Sequence, residues 1–179
     1  PPAQEDEMPV PIPRQTVTER LDGHTQGLGD LRGGQAREET KLDDLGLEQQ
    51  RVVGSLFVKN VLELSDDPRV AQSLQAATDT EIGDAALSLA RRTIKAASLD
   101  AHARCGADGE WTDQAGYFVA RAAEACLEPE GRSGGKGPAW KAAMSARMAR
   151  TCLAADGEED SHDAESQAQY QILTSYLDA

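Results

Sequence analysis

From Lys41 onward, apolar residues recur at steps of three and four. Leu42, Leu45, Val52, Val53, Leu56, Phe57, Val61 and Leu64 share one face of a helix, which predicts helix 1 over about 41–64 with Thr40 as its N-cap. Ser65-Asp66-Asp67-Pro68 stops it and places a proline at the first position of a short helix 2, about 68–77. Thr78 and Glu81 have the spacing of a capping box and open helix 3, about 79–104, with Ile82, Ala86, Leu89, Ile94, Ala97 and Ala101 inward. Thr112 is the expected cap of helix 4, about 113–127, whose buried side carries Tyr117, Phe118 and Ala122. Pro138 starts helix 5, reaching about Ala155, with Trp140, Met144 and Met148 at four-residue steps. Helix 6 follows over about 162–176, with Tyr170, Leu173 and Leu177 inward.

The first 38 residues break this pattern. Met8-Pro9-Val10-Pro11-Ile12-Pro13 alternates proline with apolar residues, an extended or polyproline-like run, and glycines 23, 27, 29, 33 and 34 interrupt any helical period. The reading is an all-α antiparallel bundle of five or six helices over residues 39–179, preceded by an extended Pro/Gly-rich arm over residues 1–38.

Composition sharpens this picture. Alanine, the best helix former, occurs 28 times, and aromatics make up only 4 % of the chain. Alanine buries little area per residue, so the core should be thin, and a cross-link, partner or oligomer is the usual remedy. The net charge of −13 argues against a nucleic-acid surface, which needs a cationic face. No apolar run of about 18 residues is present to span a bilayer. The charge is uneven: Arg132 to Arg150 holds five cations and no acids, and Asp156 to Asp178 holds seven acids and no cations. The two segments should answer one another across helices 5 and 6, or the first could form a basic patch for an acidic partner.

Chemistry is thinly signalled. Cys105 follows helix 3, Cys126 closes helix 4, and Cys152 lies near the end of helix 5. If helices 4 and 5 pack antiparallel, Cys105 and Cys152 meet at one end and Cys126 stays free and buried. A Cys105–Cys152 disulfide is the expectation, worth about 4 kcal/mol in the loop-entropy account, and three reduced thiols are the alternative. His102 and Cys105 make one ligand pair without a second. Asp156, Glu158 and Asp160 alternate like a calcium loop, but Ser161 and Gln167 stand where glycine and glutamate are required. The glycine-rich 131–137 stretch lacks the spacing of a phosphate loop. His24, His102 and His162 form no nucleophilic constellation by spacing, although the acids around His162 would favour its protonated form. No cofactor, metal or catalytic residue is implied.

The functional expectation is therefore a non-enzymatic accessory subunit or adaptor that docks into a larger assembly. Pro9, Val10, Pro11, Ile12 and Pro13 would contact the protein partner, and a helix face would add to that contact. The alternative is a stand-alone bundle holding a small ligand or metal ion, with an apolar pocket between helices 3, 4 and 5 lined by Phe118, Trp140 and Met144. The chain opens at Pro1 with a polar stretch that would suit the end left by a removed leader, so a periplasmic or secreted location is expected, with the cytoplasm as the alternative.

Overall fold

A computed structural model of the chain describes residues 37–38, 41–106, 109–129, 136–155 and 161–179. The helical unit is Glu38–Ala179. Among the described residues every regular element is helical: short helical stretches at 37–38 and 41–43, then α1 (Leu47–Asn60), a 3₁₀ turn (Leu62–Leu64), α2 (Pro68–Thr78), α3 (Asp84–Arg104), α4 (Trp111–Cys126), α5 (Pro138–Ala155) and α6 (Ser161–Leu177). The all-α bundle expected from the periodicity is the observed fold. The arm with Pro9–Pro13, the acidic turn at 156–160, His24 and the side chain of His162 lie outside the described residues.

Local chemistry explains several boundaries. Asp67 caps α2 by accepting from the Arg69 backbone N–H at 2.9 Å, and Pro68 fills the first helical position. The Gln49 side chain reaches back to the Gly46 N–H at 3.1 Å and restarts the chain as α1, which splits the single helix expected over 41–64. The capping box expected at Thr78 is not formed. Its hydroxyl turns back to the carbonyls of Leu74 and Gln75, while the Asp79 carboxylate accepts from the Glu81 N–H at 3.0 Å in a local turn. The third helix therefore starts at Asp84, and its inward stripe begins at Leu87, leaving Leu89 58 % exposed. Thr112 likewise does not cap α4, which begins at Trp111 after Glu110.

Packing rests on small residues. α4 and α5 form the most extensive helix pair, and Ala120, Ala122 and Ala123 share the main core with Ala142, Ala146 and Ala149. They run antiparallel: Glu128 after α4 meets Lys141 of α5 at 2.6 Å, and Thr112 and Asp113 share a cavity with Leu153 at the other end. The main core also takes Val58 and Val61, Val70 and Leu74 of α2, and Ile94 and Ala97 of α3. A second cluster of Leu42, Val53, Phe57, Ala139, Ala143 and Leu173 joins α1, α5 and α6, with Trp140 against it.

Gly54 marks the closest crossing. A β-carbon there would stand 3.0 Å from the Cys126 Sγ, 3.4 Å from the Ala139 Cα and 3.4 Å from the Ala142 Cβ, so α1 sits on both α4 and α5 only without a side chain. Gly54→Val should destabilise the fold by about 2 kcal/mol through overpacking. Urea denaturation measures this, and an unchanged midpoint would contradict the crossing.

Candidate functional site: a cationic cleft backed by a buried arginine

A cleft of about 760 Å³ opens between α3, α4 and the first turns of α5. Its location is the one expected for a ligand pocket, and Trp140 and Met144 line it as expected. Phe118 does not. It packs against the main core with its ring 5.3 Å from that of Tyr117. The character of the cleft also differs from the apolar lining expected. Six cations line it, Arg91, Arg92 and Lys95 of α3, Arg121 of α4, and Lys136 and Lys141 beside Trp140. Among the described residues two carboxylates, Glu124 and Glu128, join them, which leaves the described lining with an excess of four positive charges in a chain of net charge −13.

These cations are not equally committed. Lys141 is paired with Glu128, and the Arg91 Nε donates to the Leu127 carbonyl at the C-terminus of α4. Among the described residues Arg92 donates only to the Ser88 hydroxyl at 3.1 Å, and Arg121 only to the Tyr117 hydroxyl at 3.4 Å. Lys95 is exposed on the next turn of α3. None of these three has a carboxylate within 4.0 Å among the described residues, so they present uncompensated charge to whatever enters.

The apolar wall is held from behind. Lys136 lies 5.8 Å and the Arg147 guanidinium 5.7 Å from the Trp140 ring centroid, both within cation–π range. Arg147 Nη1 also approaches the Met144 sulfur at 3.8 Å. Arg147 itself has no solvent exposure. Its Nη2 is paired with the buried Glu38 carboxylate, and its Nε donates to the Gln169 Oε1 at 2.7 Å. Gln169 passes the chain on, donating to the Ala143 carbonyl at 3.1 Å and to the Glu165 Oε1 at 2.9 Å. The other oxygen of Glu165 accepts from Asn60 at 2.8 Å and from Arg150 at 3.4 Å, and Arg150 reaches Glu63 at 2.7 Å. Of the expected answer between the basic and acidic segments, the described residues show one ion pair across α5 and α6, Arg150 with Glu165 at 3.4 Å, while Arg147 meets Gln169 there and finds its carboxylate in Glu38.

This network explains why the inward face of α6 differs from its apolar pattern. Glu165, Gln169 and Leu173 are buried, while Tyr170 and Leu177 are 38 % and 43 % exposed. Burial raises the pKa of Glu38 above the usual 4.5, the nearby Arg147 opposing the shift. Burial raises Glu165 likewise, opposed by Gln169, Asn60 and Arg150.

The thiols stand apart from the cleft. Cys105, Cys126 and Cys152 are all free, so the expected Cys105–Cys152 bridge is not made in the structure. The Cys105 sulfur instead donates to the Asp113 carbonyl at 3.2 Å. Cys126 is fully buried against the Ala122 carbonyl, and burial pushes its pKa up to about 12, which leaves it an inert thiol. Burial also raises Cys152, with a smaller contribution from the charge of Cys105. The His102 ring lies tilted against that of Tyr117, with centroids 5.1 Å apart, and no group of three metal-ligating side chains occurs among the described residues. Among those residues no helix is long and apolar enough to cross a membrane. Comparison of the chain with protein-family models, with curated proteins and with solved structures finds no match.

Arg147→Leu would strand the Glu38 carboxylate and the Gln169 oxygen in the core, at a cost of about 3 kcal/mol at pH 7. Glu38 already binds its proton more tightly in the folded than in the unfolded state, and losing Arg147 strengthens that preference. Stability should therefore return in part as the pH falls from 7 towards 4.5, where Glu38 becomes neutral. Urea denaturation of both proteins at pH 5 and pH 7 measures the difference. An equal loss at both pH values would contradict the assignment.

Proposed function

We propose that the protein is a non-enzymatic binding module, an accessory or adaptor domain that holds an anionic group of its partner in the cleft between α3, α4 and α5. The observation that carries this reading is the concentration of six cations around one opening of a strongly acidic chain, three of them without a carboxylate partner among the described residues. A cationic cleft with low-dielectric walls raises the local concentration of an anion and its rate of arrival, and the negative remainder of the surface repels polyanions elsewhere. The chemistry of the lining supports binding: guanidinium and ammonium donors, an indole, and a thioether.

Arg92, Lys95 and Arg121 should supply most of the charge selectivity. Titration with hexaglutamate and with tripolyphosphate, followed by Trp140 fluorescence in a Trp111→Phe background, measures it. At least one of the two anions should saturate, with an affinity that falls as salt rises and drops at least tenfold in Arg92→Gln/Lys95→Gln/Arg121→Gln. Equal affinity in wild type and the triple variant, or no binding of either anion, would overturn the reading.

An extracytoplasmic setting, with a Cys105–Cys152 cross-link formed there, belongs to the same proposal. The cross-link is supported by the chain neighbours of the two thiols, Arg104 and Leu153, which line one cavity with Thr112 and Asp113 at the end of the α4–α5 pair. With oxidised glutathione as the oxidant, two thiols would close to one disulfide and the reagent would leave as two thiols. Non-reducing peptide mapping should then find Cys105 joined to Cys152 with Cys126 free. Three free thiols after that treatment would contradict it.

A further inference from the structure

Resting on the reading of the cleft as an anion site, we infer that its occupant is a short acidic peptide segment carrying one bulky apolar side chain, rather than a phosphate or a nucleic acid. The uncompensated cations are carried on two helices. Arg92 and Lys95 lie about one turn apart on α3, and Arg121 stands on a different helix, steered by Tyr117. A single phosphate asks for donors gathered around one centre, whereas carboxylates spaced along an extended chain fit donors on separate helices.

Glu124 argues the same way. It lines the cleft among these cations and makes none of the hydrogen bonds or ion pairs of the described residues. A compact phosphate would meet that carboxylate with repulsion. A peptide brings backbone N–H groups that Glu124 can accept, together with the carboxylates that the cations require.

The third observation is the wall. Trp140 and Met144 face the cleft and are both held by the buried Arg147, the ring at 5.7 Å and the sulfur at 3.8 Å. An indole and a thioether fixed in place beside a cationic rim form a seat for an aromatic or aliphatic side chain flanked by acids. The net charge of −13 sets the remaining limit: a long polyanion is repelled by the rest of the surface, so a short segment is selected.

The experiment is a set of titrations of the full chain, read by calorimetry at one low salt concentration. The probes are an octapeptide of seven acidic residues with one central phenylalanine, the same peptide with alanine at that place, tripolyphosphate, and a 15-nucleotide single-stranded DNA. The phenylalanine peptide should bind at least tenfold more tightly than each of the other three. Trp140→Ala should collapse the phenylalanine-to-alanine ratio to below threefold, and Met144→Gln, which keeps the indole, should lower it in the same direction. Tripolyphosphate or DNA binding as tightly as the phenylalanine peptide, with Arg92→Gln/Lys95→Gln/Arg121→Gln abolishing it, would overturn the peptide assignment and leave the anion site standing. Equal affinity for the two peptides would also overturn it. Absence of binding by all four would overturn both.

Discussion

Arg147 carries a full positive charge into a core made largely of alanine, and its neighbours are arranged to meet it. Removing a guanidinium from water costs several kcal/mol unless its donors are satisfied. Glu38 takes Nη2, Gln169 takes Nε, and the Trp140 ring and the Met144 sulfur lie within reach of the remainder. These partners come from three places in the chain: Glu38 from the start of the helical unit, Gln169 from α6, and Trp140 and Met144 from α5 itself. One side chain thus ties the first turn of the domain to its last helix. A buried ion pair of this kind is a weak source of stability, because desolvation offsets much of the attraction, but it is demanding of geometry.

That demand reaches the surface through Trp140. The indole packs against the second core cluster and lies within range of a cation on α5, so its exposed part has little freedom to turn. With Met144 it forms an apolar wall of a cleft that six cations also line. The fold places the wall on α5 and the charges on α3 and α4, and the antiparallel α4–α5 pair, drawn close by alanine on both sides, sets their separation. Charge on a rigid helical scaffold costs less ordering entropy on binding than charge on a loop.

The parts of this arrangement legible in the sequence are those written in propensity and turn chemistry. The alanine content, the Asp67-Pro68 start and the Pro138 start gave six helices in the observed order. An apolar pocket between the third, fourth and fifth helices was expected with Phe118, Trp140 and Met144 in its lining; Trp140 and Met144 line the observed cleft, Phe118 does not, and the lining is largely charged. The apolar periodicity failed where the buried face is polar. Glu165, Gln169 and Arg147 read as solvent residues, and nothing in their spacing shows that they satisfy one another inside. It failed again at Leu89, because Thr78 looked like a cap for the following helix and instead bonds backward to its own. Arg91, Arg92 and Lys95 were legible as a cationic cluster at i, i+1 and i+4. Their sharing of one cleft with Arg121 depends on the packing of α3 against α4, which helical periodicity does not encode.

The central claim is that a side chain held from inside the core presents a binding wall at the cleft. The most direct measurement is a ¹H–¹⁵N correlation spectrum of the labelled chain during titration with an acidic, phenylalanine-containing peptide. The account requires the Trp140 indole N–H and the amides of Arg92, Lys95, Arg121 and Met144 to shift together and saturate at one stoichiometric equivalent. Shifts centred instead on the groove between α1 and α6, at Leu56, Ile172 and Tyr176, with the Trp140 indole unmoved, would contradict it.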